Sequence, residues 1–238
     1  DIDQDKSLVI SCDSSGGIGA KPGDKVNVSG EVIGFYTTAV ALMEVLAVGA
    51  SPLSVINTLS VEYDPSGKEI INGIYKAVNK AGLDPEKIIN GSTEDNVITD
   101  ETGVGLTVIA LIEKKDLKIS CSQENDILLT LGLPLVGDQL IDKEELAADI
   151  SDLKMIMQKD YIREVIPVGS KGIKYEAEVL AEMSGLKINY AEKLELDLEK
   201  SAGPATVLLV TLAENHFSDF KKDFAAKAVN VIGKLEAN

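Results

Sequence analysis

Three short stretches of this chain carry residues that could handle a phosphate and a hard cation. The first is Cys12-Asp13-Ser14-Ser15-Gly16-Gly17-Ile18-Gly19, an acid followed by hydroxyls and glycines. Glycines let backbone N–H groups approach a phosphate closely, because no side chain intervenes. The second is Glu44, a lone acid among Ala, Leu, Met and Val. The third is Ile89 to Gly103, which puts Asn90-Gly91-Ser92-Thr93-Glu94-Asp95-Asn96 in one turn between apolar segments. Magnesium is usually held by one or two carboxylates plus substrate phosphates, and Glu94 and Asp95 are of the right type. Ser92 and Thr93 could bind phosphate. Each stretch also has a plain reading. Asp13 could sit in an ordinary turn closed by a side-chain hydrogen bond. Glu44 is either buried, which requires a partner or a metal, or it lies on the wet side of its helix. The third stretch could be a polar loop and nothing more. The first is neither a Walker A loop nor a GxGxxG fingerprint.

These residues need elements to hold them. Leu8 to Cys12 reads as a strand that would place Asp13 at its C-terminal end, with Lys25 to Val28 a possible short strand. Val32 to Val48 reads as a helix stopped by Gly49, and Leu53 to Val61 as a strand rich in branched residues. Ser66 to Lys80 is amphipathic at helical spacing, and the uncharged run Val104 to Ile112 suits a strand covered on both faces. Charges at Glu113 to Asp116 mark a boundary. The theme then repeats. Ile127 to Leu133 is a strand and Lys143 to Lys159 a helix. Glu164 to Ile173 is strand then glycine loop, and Lys174 to Ser184 a helix. Thr206 to Leu212 is a strand and Phe217 to Leu235 a terminal helix. Alternation of strand and helix in both halves predicts two αβ domains, 1–117 and 118–238.

Composition narrows the functional classes. Of 238 residues, 45% are hydrophobic, enough for a core built from aliphatic side chains, since there is no Trp. The net charge of −16 and the lack of any basic cluster argue against nucleic acid, whose binders need a cationic footprint. Cys12 and Cys121 form no CxxC pair, which argues against a zinc site or a disulfide scaffold. The only histidine, His216, fits a surface position better than a catalytic one. Val32 to Ala50 approaches the length of a membrane span, yet Gly34, Thr37, Thr38 and Glu44 interrupt it and no basic flank anchors it. The expectation is a buried helix, no membrane, and a cytoplasmic protein.

The order of these features resembles the AIR synthase superfamily, which includes thiamine-monophosphate kinase and selenophosphate synthetase. The strand–Asp–glycine loop comes first. Ala41 to Val61 is similar to the family's helix–Gly–Ala–Pro–strand unit. Ile89 to Asn96 resembles its Gly-Gly-acid-Thr loop, and Ser201 to Val210 its Ser-Gly-Gly-Pro strand. The resemblance implies an α+β chain of two αβ domains, with N-terminal sheets forming a barrel in a homodimer. It also implies ATP and Mg²⁺ in a carboxylate-lined cleft and activation of a small molecule. By motif, Asp13, Glu94 and Asp95 would hold the metal. Gly16, Gly17, Gly19, Gly91, Ser92, Thr93 and Asn96 would hold the nucleotide. Asp13, Glu44 and Lys171 would serve the chemistry. This chain also departs from the pattern. Ser92 replaces the acid of the third loop, and Val168 to Ile173 carries Lys171 where family kinases have Ser-Asp-Gly. The chain ends without a cysteine tail, and Cys12 lies inside a strand, which disfavours hydrogenase maturation and selenophosphate synthesis. The first and third loops most resemble a branch associated with α-ribazole kinase. The leading expectation is therefore a Mg²⁺-dependent small-molecule kinase. An ATP-dependent cyclase or ligase and a non-catalytic nucleotide-binding protein are the alternatives.

Overall fold

The computed structural model describes residues 1–238. The chain divides into two compact units, Asp1–Leu117 and Lys118–Asn238.

The first unit is a four-stranded sheet with helices on one face. Its elements are β1 (Lys6–Gly16), β2 (Ile18–Gly19), β3 (Val26–Asn27), α1 (Gly30–Ala47), β4 (Ser51–Leu59), α2 (Lys68–Lys80), α3 (Pro85–Ile88), β5 (Ile89–Thr93) and β6 (Gly103–Glu113). The sheet order is β1-β6-β4-β5. The long outer pair is antiparallel, from Lys6 opposite Glu113 to Gly16 opposite Gly103. β4 and β5 are parallel. Alternation along β6 decides which face is inside. Val104, Leu106, Val108, Ala110 and Ile112 are buried, and α1 packs over them. On β1 the outward residues Leu8, Ile10 and Cys12 are exposed, with Leu8 at 44% and Ile10 at 60%.

α1 starts at Ser29, whose hydroxyl accepts from Val32 N–H, an ordinary serine N-cap. It stops where Gly49 takes a positive φ of 86°. It is long and apolar enough to cross a membrane, but it is a core helix, 61% buried and wedged between the sheet and α2. Its contact with α2 is made by glycines. A Cβ on Gly34 would strike the backbone of Ile70, and one on Gly73 the backbone of Glu31. Ile70 and Ile74 of α2 are thereby sealed against α1. Burial of such a side chain is worth about 1.5–3 kcal/mol relative to exposure.

Three expectations change here. β1 runs on to Gly16, because Ser14 and Ser15 pair with Gly105 and Val104 instead of turning. Asp13 is therefore inside a strand and not at its end. The possible strand over Lys25 to Val28 is reduced to β3, which pairs with β2. The helix starting at Ser66 begins at Lys68, after a tight turn over Tyr63–Gly67.

The second unit holds β7 (Asp126–Gly132), α4 (Asp138–Asp142), α5 (Ile150–Met157), β8 (Ile162–Pro167), α6 (Gly172–Met183), β9 (Leu186–Tyr190), β10 (Val207–Ala213), α7 (Phe217–Asp223) and β11 (Val229–Ala237). Its five-stranded sheet has the order β8-β10-β7-β11-β9, with antiparallel neighbours. β7 is buried at every position. Ile173, Ala177 and Leu180 of α6 pack on Leu128, Leu209 and Leu235. The helix expected over Lys143 to Lys159 is only α5, begun by a capping box between Asp149 and Asp152. The expected terminal helix ends at Asp223, and Val229, Val231 and their neighbours form β11 against β7. β9, absent from the sequence reading, pairs with β11.

Candidate active site

The β-sheet register of the first unit sets one row of residues across four strands. Asp13 lies opposite Leu106, Leu106 opposite Asn57, and Asn57 opposite Gly91. Directly opposed residues share a face. Asp13 and Asn57 therefore point to the same side, the one covered by α1. Two residues before Asp13, Ser11 donates its hydroxyl hydrogen to the Ala41 carbonyl of that helix at 2.6 Å.

Asp13 is half-buried, and loss of water pushes its carboxyl above the usual carboxylate range. A backbone hydrogen bond at Ser14 offsets part of this, but no lysine or arginine contributes. Asn57 is 3% exposed, and its Nδ2 donates to the Asn90 carbonyl at 3.1 Å. Gly91 makes room for that amide, since a Cβ there would overlap the Asn57 side chain and carbonyl. The row gives an unpaired acid at one end and a glycine at the other. With strands roughly 4.8 Å apart, the two strands stand roughly 14 Å apart.

The first and third loops meet beyond this row, at the same end of the sheet. Gly17 N–H donates to the Thr102 carbonyl at 2.9 Å, and Gly23 N–H to the Asp100 carbonyl at 2.8 Å. Asp24 Oδ1 accepts from Thr102 N–H at 2.7 Å. Its Oδ2 accepts from the Thr102 hydroxyl at 2.7 Å and Lys21 N–H at 2.8 Å. Lys21 Nζ donates to the Thr99 carbonyl at 2.9 Å and to Glu62 Oε2 at 2.6 Å. Glu62 also accepts from the Ser66 hydroxyl, and Lys21 with Ser66 pulls its carboxyl down to about 2. Gly19 is tied into this clamp, because a Cβ there would overlap Thr102. Gly17 is a joint between the loops, its N–H used by Thr102 and its carbonyl accepting from Lys25 N–H at 2.7 Å.

The acids of the third loop are partly engaged. Asp95 accepts from Tyr63 N–H and from the Thr93 hydroxyl, both at 2.8 Å, and these bonds hold its carboxyl below the usual range. Glu94 Oε1 accepts from Asn96 N–H at 2.8 Å. Ser92 points outward and Asn96 is exposed. Asp13, Glu94 and Asp95 do not assemble as one cage: no group of three or more His, Cys, Asp or Glu side chains is close enough to hold an ion. The donors fit magnesium in chemistry, all hard oxygens, with each acid able to add to a coordination shell that phosphates complete. Glu44 is exposed on α1, so of its two readings the wet face is the one observed.

Lys171 belongs to the second unit. It sits at the start of α6 with Nζ 4.0 Å from the centre of the Tyr175 ring. The glycine loop that carries it meets the Ser201–Ala205 segment, with Ala202 N–H donating to the Gly169 carbonyl at 3.2 Å. Thus the two motif loops of this unit also adjoin each other. His216 stacks on the Tyr161 ring at 5.1 Å and lies at the surface.

Sequence reasoning missed Lys21, Asp24, Asn57, Glu62 and Thr102. A signal existed for two of them. Lys21-Pro22-Gly23-Asp24 is a turn signature whose acid can bond back, and Asn57 is a lone amide in an otherwise apolar and hydroxyl strand.

Residues 1–112 match the family described as AIR synthase related protein, N-terminal domain. No curated protein matches the chain. Among solved structures, the chain is similar to a thiamine-monophosphate kinase from Stenotrophomonas maltophilia K279a. The TM-score is 0.66 at 15% identity, covering 99% of this chain and 84% of that one. It is similar to Aquifex aeolicus ThiL complexed with AMPPCP and TMP, with a TM-score of 0.66 at 16% identity, covering 98% of this chain and 82% of that one. It is also similar to Thermotoga maritima PurL complexed with ADP, with a TM-score of 0.67 at 14% identity. There it covers all of this chain and 41% of the other. At such identities the likeness speaks for the fold.

Proposed function

From the match of residues 1–112 to the AIR synthase related N-terminal domain we propose that the protein belongs to that family and is a Mg²⁺-dependent kinase transferring phosphate from ATP to a small molecule. The observation that carries the reading is Asp13. It is a half-buried acid without a cation, on the helix-covered face of a sheet whose end is closed by two interlocked loops. A desolvated carboxylate with no partner is costly, and a bound cation would relieve that cost.

Phosphoryl transfer asks a protein mainly to position groups and neutralise charge. Asp13 would hold Mg²⁺ at one end of the row, and Glu94 and Asp95 are the acids available at the other. The ion supplies charge neutralisation on the phosphate oxygens. Gly16, Gly91 and Thr93 would contact phosphates, with Asn96 beside them, whereas the Ser92 side chain, on the other face of β5, is not available there. The Asp24–Thr102–Lys21–Glu62 clamp keeps the loops in register and excludes slack from the site. Lys171 would neutralise the transferred phosphate where family kinases use an acid and metal. Glu44, being exposed, would act only on an acceptor reaching that helix face. The acceptor proposed is a nucleoside such as α-ribazole, by resemblance of the loops. Homodimerisation is proposed through the outward sheet face, where Leu8 and Ile10 lie bare.

A second reading has an observation in its favour. The three expected acids do not form a ready cage, which suits a protein that binds nucleotide without turning it over. One experiment separates these readings. ADP release is measured with ATP, Mg²⁺ and a panel of nucleosides and vitamin precursors, and products are followed by phosphorus NMR. A phosphomonoester supports the kinase. ADP with a ring-closed or ligated product supports a cyclase or ligase. Calorimetric ATP binding with no ADP from any acceptor supports the non-catalytic reading.

A further inference from the structure

The acids, hydroxyls and glycines of the candidate active site suit phosphate and a cation, but they offer no wall to a flat ring. Small-molecule sites are mostly apolar, with a few polar groups that fix orientation. Apolar side chains do stand beside the third loop, and they are bare. Val97 is 61% exposed, Ile98 95% and Tyr63 48%. The segments that carry them are bonded side by side. Glu94 N–H donates to the Val61 carbonyl at 2.9 Å, Tyr63 N–H to Asp95 Oδ1 at 2.8 Å, and the Thr99 hydroxyl to the Ser60 carbonyl at 3.1 Å.

The tip formed by Val97 and Ile98 is pinned on both sides. Before it, Asn96 N–H donates to Glu94 Oε1 at 2.8 Å. After it, the Thr99 carbonyl accepts from Lys21 Nζ at 2.9 Å, and Lys21 is itself bound to Glu62. A pinned loop has little freedom left to lose when it takes a ligand, so its apolar area works for binding. A single bare apolar side chain is ordinary on a protein surface. Two in succession on a held tip, next to the segment that carries the one exposed aromatic residue of the first unit, are a patch. The patch also adjoins the nucleotide loop, since Val97 follows Thr93 by four residues.

We propose that Val97 and Ile98, with Tyr63, form the wall against which the adenine ring of ATP lies. A nucleotide whose phosphates lie at Gly91 and Thr93 brings its other end toward this tip. In ATP that end is a flat, neutral ring. Aromatic and branched aliphatic side chains hold such a ring by stacking and by burying its faces, with no charge required. The tip thereby selects a nucleotide over bare polyphosphate. The inference rests on the ATP site of the proposed function, and it holds whether or not turnover follows binding.

The test compares Mg²⁺–ATP with Mg²⁺–tripolyphosphate by calorimetry on the full chain. The unaltered chain should bind ATP roughly tenfold more tightly than tripolyphosphate. Val97→Ser with Ile98→Ser should weaken ATP by about tenfold, and Tyr63→Ala by about fivefold, each leaving tripolyphosphate as it was. Ile141→Ser with Met183→Ser removes bare apolar surface from the second unit and should change neither affinity. Equal loss of ATP and tripolyphosphate would mean that the loop had lost its shape. Unchanged ATP affinity in the variants would mean that the ring lies elsewhere. A raised KM for the acceptor, with ATP affinity unchanged, would give the tip to the acceptor. Each of these overturns the proposal while the ATP reading stands. An unaltered chain that binds no ATP at all defeats that reading, and the inference with it.

Discussion

Two acids of the first unit, eleven residues apart in sequence, live in opposite circumstances. Asp24 accepts hydrogen bonds from Thr102 N–H, the Thr102 hydroxyl and Lys21 N–H, and its carboxyl is held below the usual range. Asp13 has lost water, gained no cation, and is pushed the other way. A satisfied acid builds structure, and an unsatisfied one is poised to take a ligand. The same contrast separates the clamp, where almost every polar group has a named partner, from the row that runs from Asp13 to Gly91.

The contrast can be tested from its strongest consequence to its weakest. Asp13→Asn should lower ATP turnover by about 100-fold. The same change should leave the melting temperature unchanged or slightly higher, because it removes a desolvated charge. A variant that unfolds, or one that turns over ATP normally, would break the division between the two acids. Gly91→Ala is next. Its Cβ would overlap the buried Asn57, so a loss of about 3 kcal/mol is expected by urea denaturation. Asp24→Ala should cost about 2 kcal/mol in the same measurement by opening the clamp, with activity falling only as far as the loops separate.

The smallest effect is one of pH. The Glu62 carboxyl sits at about 2 in the folded chain against an ordinary 4.5. A lowered value means that this acid stabilises the fold above pH 4.5, and that the contribution fades as pH falls toward about 2. Glu62 is partly exposed, so solvent screening limits the effect to about 1 kcal/mol. Glu62→Gln should flatten that part of the stability–pH curve. Asp13 has the opposite sign. Its raised value makes stability decline as pH rises through the carboxylate range, and Asp13→Asn should abolish that slope.

How much of this was legible in the residues depends on how local the determinant is. The uncharged runs of β7 and β10 declared themselves, because a strand buried on both faces needs no partner to explain it. β6 was found as a strand, but the expectation that both its faces are covered fails, since only alternate residues are buried. α1 was equally plain from its Ala, Leu and Met content and Gly49. The terminal segment misled. Phe217 to Lys222 is helical, and Ala225, Ala226 and Ala228 would continue it by propensity, but Val229 and Val231 are claimed by pairing with β7. At the site, the residue types of the first and third loops were readable. That they interlock was not, since it follows from β1 lying beside β6, a long-range pairing that no local pattern encodes. Asp13 was placed at a strand end because Ser14-Ser15-Gly16 looks like a loop. Its partners there, Gly103, Val104 and Gly105, are small enough to let the strand run on.

Cys12 lies on the bare side of β1, with its sulfur 3.4 Å from the Thr107 hydroxyl. It therefore serves as a built-in reporter of whether that side of the sheet is open or covered. A thiol reagent should modify it readily in dilute protein and ever more slowly as concentration rises, if two chains close over Leu8 and Ile10. Cys121, in the other unit, supplies the internal reference for the same sample.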